Sequence, residues 1–85
     1  MTNIKDIKIY STKTCGYCRA EKKFLEQHDV PYKEIMVDSD EAAAREMIAL
    51  SGQMGVPFTV IKKADDTEEH ILGFDQRRLT AVLGL

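Results

Sequence analysis

Ile7-Lys8-Ile9-Tyr10-Ser11-Thr12-Lys13-Thr14-Cys15-Gly16-Tyr17-Cys18 is the stretch on which the fold turns. Ile7-Lys8-Ile9-Tyr10 alternates and is β-branched on one side, the pattern of a strand. Apolar residues then recur at Tyr17, Ala20, Phe24 and Leu25, the spacing of a helix face. That helix is expected to begin near Cys15 and to end before Pro31, which cannot continue it. A Cys-x-x-Cys pair thus opens a helix directly after a strand.

Working outward, Tyr32 to Val37 reads as a second strand. Asp38-Ser39-Asp40 offers N-cap residues, and Glu41 suits the positive end of a helix dipole. The segment that follows places Ala43, Met47 and Leu50 on one face and stops at Ser51-Gly52. Phe58 to Lys62 is a third strand, Asp65-Asp66-Thr67 a polar turn, and His70-Ile71-Leu72 a short fourth strand. A last helix runs from Asp75 with Leu79, Val82 and Leu83 inward. The first crossover is long enough for a right-handed βαβ unit, so the first two strands are expected to be parallel. The short polar link makes the third and fourth an antiparallel hairpin. The class is α/β: a small mixed four-stranded sheet with helices on both faces.

The composition bounds the function. With 85 residues the chain is one small domain, 1–85, of ordinary hydrophobic and charged content. Twelve Lys+Arg against fourteen Asp+Glu leave a net charge of −2, without the basic excess that general nucleic-acid binding needs. No apolar run approaches the roughly 20 residues of a membrane span. Met1-Thr2-Asn3-Ile4-Lys5-Asp6 lacks the apolar core of a signal peptide. The expectation is a monomer in the cytoplasm, with neither nucleic acid nor membrane as partner. Two cysteines are too few for a disulfide-stapled miniprotein.

The cysteine pair carries the chemistry. At a helix mouth, free backbone N–H groups and the positive dipole end favour a thiolate. Lowering a thiol from its usual pKa of about 8.5 to about 6.5 would stabilise the anion by roughly 2.7 kcal/mol. Lys13 and Arg19 flank the pair; each is either a source of positive potential or a solvated charge. A zinc site would need four ligands, and the two histidines, His28 and His70, lie far from the pair in sequence. Two buried, inert cysteines are the other alternative. A Cys-x-x-Cys in a βαβ context favours redox chemistry over both. Gly52-Gln53-Met54-Gly55-Val56-Pro57 is the second informative stretch. Read from its residues alone it is a loop with a trans proline, since cis occurs in about 5–6% of X–Pro bonds. His28 and His70 read as surface residues, Met36 and Met47 as core.

Three stretches together resemble the glutaredoxin family: Ile9 through Cys18, Gly52 through Pro57, and Ile71-Leu72-Gly73-Phe74-Asp75. They run in order over essentially the whole chain, and the likeness is to the short bacterial and archaeal glutaredoxin-like redoxins. The resemblance implies a thioredoxin-like βαβαββα fold, sheet order 2-1-3-4, three flanking helices and a cis Val56-Pro57 bond packed beside the cysteines. It implies thiol–disulfide exchange with glutathione or protein disulfides, Cys15 the nucleophile and Cys18 the resolving thiol. Glutathione is then a co-substrate rather than a tightly bound cofactor, and no metal is required. Its cysteine part would pair with the backbone of Val56. Its γ-glutamyl carboxylate would sit on the N–H groups of Phe74 and Asp75, and its glycine carboxylate beside Lys13. Gln53 would add a hydrogen bond, and Tyr17 a partly exposed platform beside the sulfurs.

The chain departs from the family pattern at several positions. Gly16 stands where proline is usual, Thr12 where a lysine is usual, and Met54 where a basic residue is common. Gly55 replaces a threonine, and Gly73-Phe74 replaces a glycine pair. Phe74 after glycine resembles instead the redoxins that take electrons from a thioredoxin-reductase-type flavoprotein. Such a reductase, or a role as a metal- or cluster-binding thiol module, is the alternative reading.

Overall fold

The computed structural model describes residues 3–85; Met1 and Thr2, part of the stretch read above for a targeting signal, lie outside them. The elements are β1 (Ile4–Ser11), α1 (Gly16–Gln27), β2 (Lys33–Met36), α2 (Glu41–Ser51), β3 (Phe58–Lys63), β4 (Glu68–Leu72) and α3 (Gln76–Leu83). They form a four-stranded sheet of order β2-β1-β3-β4. β1 runs parallel to β2 and antiparallel to β3, and β3 pairs antiparallel with β4. The order implied by the resemblance is the order present.

The period-two alternation of the central strands sorts the core into two layers. Ile7 and Ile9 of β1, Ile61 of β3 and Ile71 of β4 face Phe24 and Leu25 of α1 and Leu79 and Leu83 of α3. Tyr10, Phe58 and Val60 face the other way, onto Met47 of α2. Fully burying a side chain such as Leu25 or Ile61 stabilises the fold by about 1.5–3 kcal/mol each. The helices therefore lie on both faces, α1 and α3 together and α2 alone.

Caps set the helix ends. Asp40 accepts the Ala43 N–H at 3.1 Å and starts α2, and Gly52, in the left-handed conformation at φ 74°, closes it. Asp75 accepts the Arg78 N–H at 3.0 Å and starts α3. Substituting caps of this kind costs about 1 kcal/mol.

Four expectations are corrected. Leu50 is 40% exposed rather than inward. The inward stripe of α2 advances by four residues, from buried Ala43 and Met47 to half-buried Ser51, whose hydroxyl donates to the Met47 carbonyl at 2.7 Å. On α1 the buried face is Cys18, Glu21, Phe24 and Leu25, which leaves Tyr17 to one side and 72% exposed. His70 is half-buried, its ring edge-on to Phe58 at 5.5 Å, whereas His28 is exposed. The Val56-Pro57 bond is cis, as the resemblance implied and not the trans form that the residues alone favoured.

Candidate active site

The register of the sheet gathers the candidate residues at one end. Tyr10 pairs with Phe58, and Phe58 with Leu72. The segments just beyond these residues therefore leave the sheet side by side: Thr12 to Cys15 after β1, Val56-Pro57 before β3, and Gly73-Phe74-Asp75 after β4. The Gly73 N–H donates to the Pro57 carbonyl at 2.8 Å and joins the last two. The end of β2 joins the same cluster, because the Lys13 N–H donates to an Asp38 carboxylate oxygen at 3.0 Å.

Cys15 is the N-cap of α1, with extended backbone at φ −84° and ψ 108°. Its Sγ accepts the Cys18 N–H at 3.0 Å, so a sulfur does the work usually given to a hydroxyl or carboxylate. The Cα atoms of Cys15 and Cys18 lie 5.2 Å apart, and their sulfurs form a disulfide. The two are unequal in exposure: Cys15 is half-buried, and Cys18 is 1% exposed on the inward face of α1. Arg19 donates to the Lys13 carbonyl at 3.1 Å and braces the loop, while both cationic side chains stay exposed.

The remaining candidates fall into two groups. Val56 is half-buried and packs on the Tyr10–Phe58 layer, and Pro57 is buried beneath it. Phe74 packs towards the opposite layer, with its ring 5.9 Å from that of Phe24. Among the described residues, neither the Phe74 nor the Asp75 N–H has a protein acceptor. This is the donor-rich opening of a helix that an anion seeks. Gln53 is already engaged. Its amide nitrogen donates to Ser51 Oγ and to the Gly55 carbonyl, and its Oε1 accepts the Gly55 N–H. A Cβ on Gly55 would meet Gln53 Oε1 at 2.5 Å, so glycine is what lets the amide fold back here.

Gly16 occupies the first turn of α1, where proline is usually favoured. A Cβ there meets nothing closer than the far end of Arg19 at 4.0 Å. The preceding residue is already in the extended conformation that proline requires of its neighbour. Gly16→Pro should therefore stabilise the chain by about 0.4–1 kcal/mol, through lost freedom of the unfolded state. Thermal unfolding of the two proteins checks it, and a lowered midpoint would contradict it.

Sequence reading missed Glu21. It is fully buried on α1 and its carboxylate accepts a hydrogen bond from the Thr59 hydroxyl of β3. Burial pushes its carboxyl from 4.5 up to about 7, against the opposing pull of the Thr59 hydrogen bond. The signal was present: Glu21 falls three residues after Cys18 and four before Leu25, within the apolar stripe.

The sequence profile of the Glutaredoxin family matches residues 7–64. Glutaredoxin 3 of Escherichia coli K12 is 34% identical over 70 residues, covering 82% of this chain and 78% of that protein. The chain belongs to the glutaredoxin family. A glutaredoxin-like 8.6 kDa protein encoded in the rubredoxin operon of Clostridium pasteurianum is 41% identical over 51 residues, 60% of this chain and 68% of that one. The crystal structure of buckwheat glutaredoxin in complex with glutathione superposes with a TM-score of 0.69 at 27% identity, covering 92% of this chain and 69% of that one. As a glutaredoxin the chain is a thiol–disulfide oxidoreductase, and its adjacent cysteines are the redox pair. Among the described residues no group of three or more His, Cys, Asp or Glu side chains is placed to hold a metal ion. Among the described residues no helix is long and apolar enough to cross a membrane.

Proposed function

We propose that this glutaredoxin is a glutathione-coupled dithiol oxidoreductase of the cytoplasm, working as a monomer, with Cys15 the attacking and Cys18 the resolving thiol. The inequality of the pair carries the reading: Cys15 is reachable and capped by an N–H donor, and Cys18 is buried. The Cys15 thiolate attacks one sulfur of a substrate disulfide. That bond breaks, the departing sulfur takes the electron pair and then a proton, and a mixed disulfide remains on Cys15. Cys18 gives up its proton and attacks Cys15 Sγ, which closes the internal disulfide and releases the second thiol. Two glutathione thiols, joined in one oxidised glutathione, return the pair to the dithiol.

The arrangement at the end of the sheet supports a seat for glutathione. The N–H groups of Phe74 and Asp75 suit the γ-glutamyl carboxylate. The backbone of Val56 suits the cysteine part, and the Lys13 ammonium the glycine carboxylate. Tyr17 walls the sulfurs. Gln53 would join only by exchanging its bonds to Ser51 and Gly55. The buckwheat complex shows that this fold can hold glutathione in that protein.

A flavoprotein reductase as the electron donor is the second reading. It is favoured by exposed apolar side chains on the two segments that carry the dithiol and Val56-Pro57, where Tyr17 is 72% and Met54 77% exposed. Each donor system is to be supplied separately with a mixed-disulfide substrate. Glutathione should sustain turnover, and Lys13→Glu should lower it by up to roughly fivefold, the worth of one exposed ion pair. Turnover with the flavoprotein and none with glutathione would replace the first reading by the second.

A further inference from the structure

Glu21 has no place in the exchange as described so far. It lies one helical turn below Cys18 on the same buried face of α1, a spacing that sets side-chain Cβ atoms about 5–6 Å apart. One carboxylate oxygen takes the Thr59 hydroxyl, and the other, Oε1, is buried with no partner among the described residues. Thr59 is centred between Ile9 and Ile71 in the register of the sheet. Among the described residues no charged group neutralises the carboxyl from the elements packed around it. β1 presents Ile7, Ile9 and Ser11, β4 presents Ile71, and α3 presents Leu79 and Leu83. Lys22 and Glu34 pair with each other at 2.7 Å, and Ser11 donates to that same Glu34. The titratable neighbour left on the buried face of α1 is Cys18.

A buried carboxyl without a counter-ion is costly unless it holds a proton. A buried thiol that must become a nucleophile has to lose one. We propose that Glu21 is the proton reservoir of Cys18, an inference that rests on Cys18 being the resolving thiol. In the forward step the Glu21 carboxylate takes the proton of the Cys18 thiol. Cys18 Sγ then bonds to Cys15 Sγ, the bond from Cys15 to the substrate sulfur breaks, and the leaving thiolate takes a proton from water. Glu21 is left protonated. When a reducing thiolate attacks Cys15 and frees Cys18 as a thiolate, Glu21 returns that proton. Proton and electron counts close over the cycle, and the buried Glu21–Cys18 pair never carries more than one negative charge. A carboxyl poised near neutrality, as burial makes Glu21, suits transfer in both directions.

Mixing the reduced protein with dithiobis-nitrobenzoate separates the steps, since each releases one coloured thiolate: first on attack by Cys15, then on resolution by Cys18. Glu21→Gln keeps the side-chain shape and a partner for Thr59. It should leave the first phase within about twofold and slow the second by roughly 100-fold at neutral pH. The second phase should also go on rising with pH where the parent levels off, and Glu21→Asp should restore the parent profile. In the parent, infrared difference spectra of the oxidised and reduced forms should show a protonated-carboxyl band that changes with redox state and vanishes in Glu21→Gln. An unchanged rate and pH profile of the second phase in Glu21→Gln would overturn the assignment. A first adduct found on Cys18 instead of Cys15 would overturn the roles of the thiols, a different failure read from the same mixing experiment.

Discussion

Cys15→Ser should abolish disulfide exchange, whereas Cys18→Ser should keep the first attack and stall as a mixed disulfide. The asymmetry follows from where α1 begins. Cys15 is its cap, and the Cys18 N–H aimed at Cys15 Sγ is one of the unsatisfied donors of the first turn. In the reduced protein that donor and the helix dipole stabilise a negative sulfur at Cys15. Cys18 is 1% exposed and faces the sheet, where burial favours the neutral thiol. Iodoacetamide at neutral pH should therefore label Cys15 first, and mass analysis of the Cys18→Ser protein held with oxidised glutathione should find one adduct, on Cys15, with one glutathione thiol released. Faster labelling of Cys18 would reverse the roles.

Glu21→Gln should make the protein more stable in alkaline solution and change little in acid. The carboxyl of Glu21 titrates near 4.5 when the chain is unfolded and at about 7 when it is folded. Its folded value is raised, so its contribution is fully present below the unfolded value and is lost as pH rises through the folded one. The shift corresponds to about 3 kcal/mol, a large share of the 5–15 kcal/mol typical of a small domain. For a chain of this size that is a difference in melting temperature of roughly 12 °C or more. Melting the oxidised forms of parent and variant at about pH 5 and about pH 8.5 tests it. A gap between the two proteins that is the same at both pH values would contradict this linkage.

Much of the fold was legible because local chemistry and global topology agree at particular residues. α1 ends at Gln27, ahead of Pro31, Asp40 and Asp75 cap α2 and α3, and the alternation at Ile7 to Tyr10 marks a central strand. The dithiol was legible for the same reason, since its spacing and its place after a strand define a helix opening. The cis bond at Pro57 was not. The two isomers of an X–Pro bond differ by only about 0.5–1 kcal/mol, so the surrounding fold decides between them; it was read from resemblance instead. Leu50 was misplaced because steps of three and of four residues both fit a helix face, and packing on the sheet chose four. Gln53 looked available because sequence cannot show an amide folding onto Ser51 and Gly55. Glu21 went unread because a glutamate among Lys22 and Lys23 looks like part of a solvated face.

The two outer strands of the sheet carry a consequence for crowded solution. β2 is only four residues long, and it exposes Lys33 and Glu34. β4 is five residues long and carries Glu68, Glu69 and His70. The unpaired backbone groups of a sheet margin are a template on which further chains can add. Short margins lined with charge make that addition unfavourable, because every strand laid alongside would have to desolvate ionised side chains. A thiol–disulfide oxidoreductase with such margins can collide often with other chains without its sheets joining into aggregates.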